Sequence, residues 1–552
     1  MFVSSLLVCV VGCARTGVPE VRAVPKAAKA ATREEGAPGE ELPWAQFSAE
    51  TFARAKAERK YVVMDGSAEW CHWCHVMEAT TYHDAGIRRL LDAHFIAVKV
   101  DVDARPDLQE RYADYGWPAT VVFSPEGEEL GAYRGYLDSD EFAEILNTVV
   151  ASGVAQKAAS PSAVETKRPI ERQPLSEERL VAIQQRTDLA LDELWDVEQG
   201  GWGRTQKAPL GWDNAWLLTK AAHGDASAKK KVLFALDQQA KLIDPVWGGI
   251  YQYSAAADWD HAHFEKLMTF QAPAIDNYAT AYGLTRDPKY LTRARAMLGY
   301  VDRFMKGPEG GFFTTQDADL NAHDRDKPFM NGHDYYALGE KERLARGLPR
   351  IDNHEYGREN GLAIAAYCTM FEITKDANVL ASAEKAARRV LETHRVPSGG
   401  ITHDRIDESA PTKKILYLSD NASFGFALMR LYEVTKNADF LVRARAIADF
   451  MQTELAGDEG GGFFANTKDP DAAGILVRRR VPFEENVMAT RMLARLVRAL
   501  PASEAMPYRA MIDRTLRAIS TPEQIADRGR MIGDYLLALE ETKGVRGGPQ
   551  AL

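Results

Sequence analysis

Residues 61–77 read Tyr-Val-Val-Met-Asp-Gly-Ser-Ala-Glu-Trp-Cys-His-Trp-Cys-His-Val-Met, and the fold predicted for the N-terminal part of the chain follows from them. Residues 61–64 form a short apolar run of the kind found in buried strands. A Cys-x-x-Cys pair that follows such a strand and opens a helix is typical of redox-active sites. The stretch therefore predicts a reactive dithiol formed by Cys71 and Cys74.

The start of a helix favours a thiolate at Cys71, because the N-terminus carries partial positive charge and unpaired N–H groups. Cys74, one turn further on, would resolve a mixed disulfide by attacking Cys71. A cationic imidazole at His72 would stabilise the thiolate further and make the dithiol more oxidising. Trp70 precedes Cys71, Trp73 lies between the two cysteines, and both are expected to support the site.

Two further residues are candidates for the same chemistry. Asp65 lies on the strand that leads to Cys71, where a buried carboxylate would accept the Cys74 proton through water; the alternative is a surface carboxylate that ends a strand. Pro118 follows Trp117 and precedes an apolar run. A cis bond there is allowed and would let the loop orient an extended partner segment, whereas the alternative is a trans turn proline.

The pattern around the dithiol predicts an α/β domain over residues 43–152. Helical and strand periodicities alternate along this region. Such an order predicts a central sheet with helices packed on it. The expected elements are a helix over 48–60, strands over 61–64, 94–102, 119–123 and 130–136, and a closing helix over 138–150.

This region resembles the thioredoxins. Residues 62–74 resemble the thioredoxin active-site strand and turn, and residues 115–123 resemble its cis-proline strand. The span 43–152 also resembles the C-terminal domain of the transmembrane thiol reductant DsbD. The resemblance implies a thioredoxin fold with protein thiols or disulfides as partners.

From about residue 176 the pattern is helical, and a glycine-aromatic turn recurs. Six repeats would form six hairpins stacked into a closed (α/α)6 ring over 176–545, after a linker over 153–175. An open helical solenoid is the alternative. The turns are at residues 200–203, 247–250, 309–313, 399–401 and 460–464, with a sixth expected near 356–361.

Polar clusters among aromatic residues are expected to line the mouth of this ring. They contain His263 and Glu265 in one motif and Asp317 and Asp319 in another. Paired carboxylates suit acid-base chemistry on a sugar, and Trp259 is a candidate for stacking on a sugar ring. The alternative is structural, since aspartates cap helices and histidines hydrogen-bond within folds.

Three motifs in order along the chain resemble those of one family, which includes spermatogenesis-associated protein 20. They are the motifs at residues 71–78, 263–266 and 316–319. The resemblance implies a thioredoxin-like domain followed by a six-hairpin barrel similar to sugar epimerases and glycosidases. The first functional hypothesis is a thiol-disulfide oxidoreductase whose barrel binds a partner or ligand. The alternatives are a carbohydrate-active enzyme with an accessory thioredoxin domain and a non-enzymatic scaffold.

The net charge and the spacing of potential ligands argue against a nucleic-acid-binding protein and against a metal site at the dithiol. The formal net charge of −11 argues against nucleic acid as the main partner. A metal held by Cys71, His72, Cys74 and His75 is disfavoured, because consecutive ligands on one helical turn point in different directions and no second ligand cluster follows. We therefore expect neither metal nor cofactor.

The first thirteen residues have the size of a signal-peptide core and are too short to span a bilayer. Residues 10–13, Val-Val-Gly-Cys, resemble a bacterial lipobox. They predict a lipoprotein-type signal peptide over 1–13, lipidation of Cys13 and a tether over 14–42. This implies a cell-envelope protein that touches the membrane only through its lipid anchor; a cytoplasmic protein is the alternative.

Overall fold

The computed structural model describes residues 42–153, 175–324, 326–406, 415–458 and 460–546. The predicted signal peptide with Cys13, nearly all of the tether and most of the linker lie outside these ranges. Among the described residues, every helix is too short or too polar to cross a bilayer.

The N-terminal domain is the expected α/β unit. Its sheet has the strand order β2 (Phe95–Asp101), β1 (Tyr61–Ser67), β3 (Ala119–Phe123) and β4 (Glu129–Arg134), with β1 parallel to β2 and antiparallel to β3. Because alternate side chains of a strand face opposite sides, β1 directs Val62 and Met64 into one apolar cluster and Val63 into another. The elements are α1 (Ala49–Glu58), β1 (Tyr61–Ser67), α2 (His72–Ala79), α3 (Ala85–His94), β2 (Phe95–Asp101), α4 (Pro106–Tyr112), β3 (Ala119–Phe123), β4 (Glu129–Arg134) and α5 (Ser139–Ser152).

The second domain consists of helices with a few two-residue strands. In chain order it contains α6 (Glu177–Glu193), α7 (Gly211–Ala222), α8 (Ala226–Gln239), β5 (Tyr253–Ser254), β6 (Ala262–His263), β7 (Lys266–Leu267), α9 (Met268–Thr285), α10 (Pro288–Phe304), β8 (Thr315–Gln316), α11 (Gly332–Tyr336), α12 (Glu340–Arg346), β9 (Ile351–Asp352), α13 (Gly357–Thr374), α14 (Ala377–Thr393), α15 (Leu418–Thr435), α16 (Ala438–Phe450), α17 (Phe483–Ala499), α18 (Ala502–Ile519), α19 (Pro522–Asp527) and α20 (Gly533–Thr542).

These helices close into the expected ring. The inner helices α7, α9, α13, α15, α17 and α20 contact one another in that order, and α20 returns to α7. The outer helices α8, α10, α14, α16, α18 and α6 pack against them in the same order. Closure around a common centre lets each hairpin bury its apolar face. The architecture is thus an (α/α)6 toroid rather than an open solenoid.

The glycine turns connect outer to inner helices and are held by side-chain amides. At Gly248 the backbone has φ 73°, and a Cβ would lie 2.1 Å from the carbonyl oxygen of Ala296, so only glycine fits. In four hairpins the fourth residue of the inner helix binds both the N–H and the C=O of the residue after the glycine pair, at 2.6–3.1 Å. The pairs are Gln271 with Ile250, Asn360 with Phe312, Asn421 with Ile401, and Asn486 with Phe463.

The expected sixth turn near 356–361 is wrong. These residues begin the inner helix α13, with Tyr356 as its N-cap and Asn360 as one of the amide clamps. The sixth connection instead runs between α18 and α20 and lacks the glycine-aromatic pattern. The glycines of this segment serve helix packing and not a turn. An inner helix that packs closely on its neighbour needs small residues, and a Cβ on Gly361 would lie 2.5 Å from the Ser423 backbone.

A strand pairing brings two distant motifs of the barrel together. Lys266 in β7 pairs with Gln316 in β8, which places Glu265 beside the segment that carries Asp317. The Lys266 ammonium is fully buried and lies 2.7 Å from Asp244, which also pairs with Arg343 at 2.7 Å. Breaking a buried pair of this kind is strongly destabilising, so the network fixes the position of the Glu265 segment.

Candidate dithiol site at the domain interface

The two cysteines lie at the start of α2 and are linked by a disulfide. Cys71 is the N-cap of α2, and its sulfur accepts a hydrogen bond from the backbone N–H of Cys74 at 3.2 Å. Cys71 is 3% exposed and Cys74 is 7% exposed. Leu267 and Phe270 of the barrel pack in the same apolar cluster, so the barrel covers the dithiol.

The mouth of the barrel presents carboxylates to the first turn of α2. The Nδ1 of His72 lies 2.7 Å from Asp319 Oδ2, and the His72 backbone N–H donates to Glu265 Oε1 at 3.5 Å. The other oxygen of Asp319 accepts from the Gly332 N–H at 2.8 Å, which fixes the carboxylate. Burial lowers the pKa of His72, but the hydrogen bond and charge of Asp319 outweigh it and leave the pKa above its usual value.

A second contact across the interface involves His75, the residue after Cys74. Its Nδ1 lies 3.5 Å from Asp319 Oδ2, and its Nε2 lies 3.8 Å from Asp317 Oδ2. Burial lowers the pKa of His75, but the charges of Asp317 and Asp319 outweigh it and raise this pKa to about 8. Burial alone would raise the pKa of Asp319, but the two histidines hold it well below its usual range. Each partner thus stabilises the charged form of the other.

Asp65 is buried in β1, as one of the two interpretations required. It is 4% exposed, and its Oδ1 has no hydrogen-bond partner among the described residues. Burial raises the pKa of Asp65 to about 7, and the charge of Lys99 only partly opposes this. A carboxyl group that exchanges its proton near neutral pH is suited to the acid-base role considered for it.

Of the remaining residues predicted for the N-terminal site, Trp70 and Trp73 pack in the apolar cluster that contains the two cysteines. The Trp117–Pro118 peptide bond is cis. The indole N–H of Trp70 donates to Asp103 Oδ2 at 2.6 Å. Burial, followed by the charge of Asp101, raises the pKa of Asp103 to about 8. The Trp73 ring packs against Tyr136 with ring centroids 5.6 Å apart.

Two of the barrel candidates have local contacts of their own. The ring of His263 stacks on Tyr253 at 4.3 Å, and its Nδ1 lies 3.9 Å from Glu265 Oε1. Trp259 is 2% exposed, donates its indole N–H to the Gln199 carbonyl at 2.9 Å, and packs against Gly201. The structure therefore brings Glu265, Asp317 and Asp319 to the dithiol helix and packs Trp259 against the turn between α6 and α7.

Further contacts join the domains around this centre. The Nε2 of His403 lies 2.7 Å from the Asp103 carbonyl, and Arg350 pairs with Glu69 at 2.8 Å. Arg358 donates to Gln109 Oε1 at 3.1 Å. In these contacts the α/β domain supplies the acceptors and the barrel supplies the donors or cations. At His72 and Asp319 the roles are reversed, because the α/β domain supplies the imidazole and the barrel supplies the carboxylate.

Three residues that form contacts around the dithiol were not predicted from the sequence: His323, Glu69 and Asp103. His323 Nε2 lies 2.7 Å from the Glu69 carbonyl oxygen and 3.3 Å from Asp317 Oδ2. A local signal was present for one of them, because His323 follows Asp317 and Asp319 in the same loop. The contribution of a backbone carbonyl such as that of Glu69 has no sequence signal.

Comparison with known proteins supports the resemblance of the N-terminal domain. Residues 37–159 match the family model Thioredox_DsbH, described as a protein of unknown function, DUF255. The N-terminal domain is thioredoxin-like. DsbD 2 of Pseudomonas aeruginosa, a thiol:disulfide interchange protein, is 34% identical over 95 residues, which are 16% of this chain and 16% of that protein.

The similarity extends beyond the thioredoxin-like domain. Spermatogenesis-associated protein 20 of Homo sapiens is 26% identical over 330 residues, which cover 55% of this chain. The match spans 42% of the human protein's length. The cellobiose 2-epimerase of Spirochaeta thermophila DSM 6192 matches 68% of this chain and 98% of its own, with 14% identity and a TM-score of 0.50. At that identity the likeness shows the fold alone.

Proposed function

We propose that the protein is a thiol-disulfide oxidoreductase that acts through Cys71 and Cys74. The proposal rests on the position of Cys71 as the N-cap of α2. Its sulfur is bonded to the Cys74 sulfur and accepts a hydrogen bond from the Cys74 backbone N–H. A helix N-terminus favours the thiolate of such a cysteine. The similarity to a thiol:disulfide interchange protein supports the same reaction class.

The reaction is a two-step exchange. In the reduced protein the Cys71 thiolate attacks one sulfur of a substrate disulfide, forms a mixed disulfide and releases the first substrate thiolate. Cys74 then loses its proton, for which Asp65 is the proposed acceptor through water, and attacks the Cys71 sulfur. This step releases the second substrate thiolate and leaves the Cys71–Cys74 disulfide that the structure contains. Two electrons pass to the substrate, and a partner dithiol restores the reduced form.

Replacing the attacking sulfur tests this proposal. We expect Cys71→Ser to abolish dithiol-dependent reduction of a model disulfide, because a hydroxyl does not replace a thiolate as the attacking group. The assay follows glutathione disulfide reduction with a regenerating dithiol. Cys368→Ser is the matched control, since Cys368 is a buried free cysteine in α13. Equal turnover by wild type and Cys71→Ser would contradict the proposal.

A carbohydrate-active enzyme is the second candidate, and its support is the fold likeness to the epimerase together with carboxylates at the barrel mouth. The contacts favour the first candidate, because Asp319 is already held by His72 at 2.7 Å. A panel of mono- and disaccharides, tested with wild type, Asp317→Asn and His263→Ala, distinguishes the two. Sugar conversion that both variants lose would favour the second candidate.

A further inference from the structure

A group of three side chains beside the dithiol joins the two domains. His75 comes from α2, whereas Asp317 and His323 come from the loop that follows β8 in the barrel. One potential ligand atom from each residue lies within 4.8 Å of the other two. Among the described residues, this is the one group of three or more His, Cys, Asp or Glu side chains arranged to hold a metal ion.

The distances suit a small cation. His323 Nε2 lies 3.3 Å and His75 Nε2 lies 3.8 Å from Asp317 Oδ2. Ligand atoms around a tetrahedral zinc ion lie about 3.3 Å from one another. The Glu69 carbonyl oxygen lies within hydrogen-bond distance of both imidazoles, 3.0 Å from His75 Nε2 and 2.7 Å from His323 Nε2, and is a fourth potential ligand atom at the same point. Small side-chain shifts would complete a coordination sphere.

One buried carboxylate oxygen of the group has ion-pair partners but no hydrogen bond within the described part of the chain, which points to a missing ligand. Asp317 is 2% exposed, and its Oδ2 has no hydrogen-bond partner among the described residues, although it faces both imidazoles. Buried polar atoms are almost always hydrogen-bonded or bound to an ion. The side chain of His323 is 31% exposed, so the group is open to solvent on that side.

The surroundings of His75 match those of metal-bound histidines. Ligating imidazoles almost always direct their other nitrogen to a carboxylate or carbonyl group, which fixes the ring. The Nδ1 of His75 faces Asp319 Oδ2 at 3.5 Å without a hydrogen bond between them, while Nε2 faces the group. Asp319 is itself fixed by the Gly332 N–H at 2.8 Å. Asp319 is therefore the carboxylate that would support His75 once the two atoms close to hydrogen-bond distance.

We propose that His75, Asp317 and His323 form a binding site for a divalent transition-metal ion of the zinc class. Two imidazoles and one carboxylate suit zinc, whereas magnesium and calcium prefer oxygen ligands alone. Three protein ligands leave a position open for water or substrate. Since the ligands come from both domains, the ion would also fasten the thioredoxin-like domain to the barrel.

Zinc titration of the untagged full-length protein tests the site. After chelator treatment and dialysis, calorimetric titration with ZnCl2 is expected to show one ion per chain. His323→Ala and Asp317→Asn are each expected to weaken zinc binding about tenfold or more. His333→Ala is the matched control, because its side chain is 85% exposed and lies outside the group. Circular dichroism confirms that each variant is folded.

The double variant Cys71→Ser/Cys74→Ser separates this proposal from the thiol chemistry. The metal site does not use the sulfurs, so this variant is expected to bind zinc as wild type does while it loses disulfide reduction. Absence of zinc binding in wild type would overturn the site, as would unchanged affinity in His323→Ala. Loss of binding in the double cysteine variant would also overturn it, because the thiolates would then be the ligands.

Discussion

At the scale of single residues, neighbouring groups of opposite charge have opposing effects on the ionisation of the Cys71 thiol. The imidazoles of His72 and His75 are held towards their charged forms and favour a thiolate. Glu265 brings a carboxylate to the same helix N-terminus, 3.5 Å from the His72 N–H, and disfavours a thiolate. The reactivity of Cys71 therefore depends on barrel residues as well as on α2.

Removing the charge of Glu265 is expected to speed alkylation of reduced Cys71. Glu265→Gln keeps an acceptor for the His72 N–H and removes the negative charge, so a larger fraction of Cys71 is thiolate below the ionisation midpoint. We expect the iodoacetamide rate to rise about twofold to tenfold. Glu309→Gln, at an exposed turn position, is the control. A slower reaction in Glu265→Gln would show that the carboxylate does not oppose the thiolate.

Asp65 makes stability depend on pH. Its pKa is raised from 3.8 to about 7, so the folded protein binds this proton more tightly than the unfolded chain. The resulting stability is complete below pH about 4 and is lost as the pH rises through about 7. We expect Asp65→Asn to gain up to about 4 kcal/mol relative to wild type between pH 4 and 8.

Urea unfolding of both proteins across this range provides the measurement. Asp92→Asn, at an exposed position of α3, is the control and is expected to differ from wild type by a constant amount. A constant difference for Asp65→Asn as well would mean that this carboxyl group is not titrating in that window.

At the scale of elements, the side-chain amides explain how the hairpin turns are fixed. An amide has both a donor and an acceptor, so one side chain satisfies both backbone groups of a turn residue. A side-chain amide at the fourth position of an inner helix reaches the preceding turn, as Asn421 and Asn486 show. The turn and the helix are thereby joined inside the core.

Replacing one of these amides is expected to destabilise the barrel. In Asn486→Leu the Phe463 N–H and C=O lose their partners inside the core, and each unsatisfied group costs about 1–3 kcal/mol. We expect a loss of about 2–5 kcal/mol, measured by guanidinium unfolding. Asn378→Leu, at an exposed position of α14, is expected to change stability by less than about 0.5 kcal/mol. Equal effects of the two substitutions would contradict the role of the clamp.

At the scale of the whole molecule, the barrel mouth covers the dithiol. Hydrogen bonds from His403 and Arg358 and an ion pair at His72 join the two domains, and Cys71 retains 3% of its surface. A substrate of protein size therefore needs the domains to move apart, whereas a small disulfide needs only a narrow path. Access is a property of both domains together.

This cover predicts selection by size. For each reagent, the rate of Cys71 modification in the reduced protein is divided by its rate with a free cysteine peptide. We expect this relative rate to be about tenfold or more higher for a small maleimide than for a maleimide carrying a long polyethylene glycol chain, because the site opens only through motion. Mass spectrometry of the modified peptide measures both rates. In concentrated urea the two reagents should regain the ratio found for the peptide. The same ratio in the folded protein would mean that the barrel does not restrict access.

The two architectures and the dithiol could be predicted from the amino-acid sequence, because strand and helix periodicities, the Cys71–Cys74 spacing and the glycine turns are local patterns. The sequence also singled out Glu265, Asp317 and Asp319, but as part of a ligand site in the barrel. Only the tertiary structure showed Asp319 against His72, 247 residues away. No local pattern encodes such a contact, because it arises from complementary charge and shape between the surfaces of two domains that are far apart along the chain.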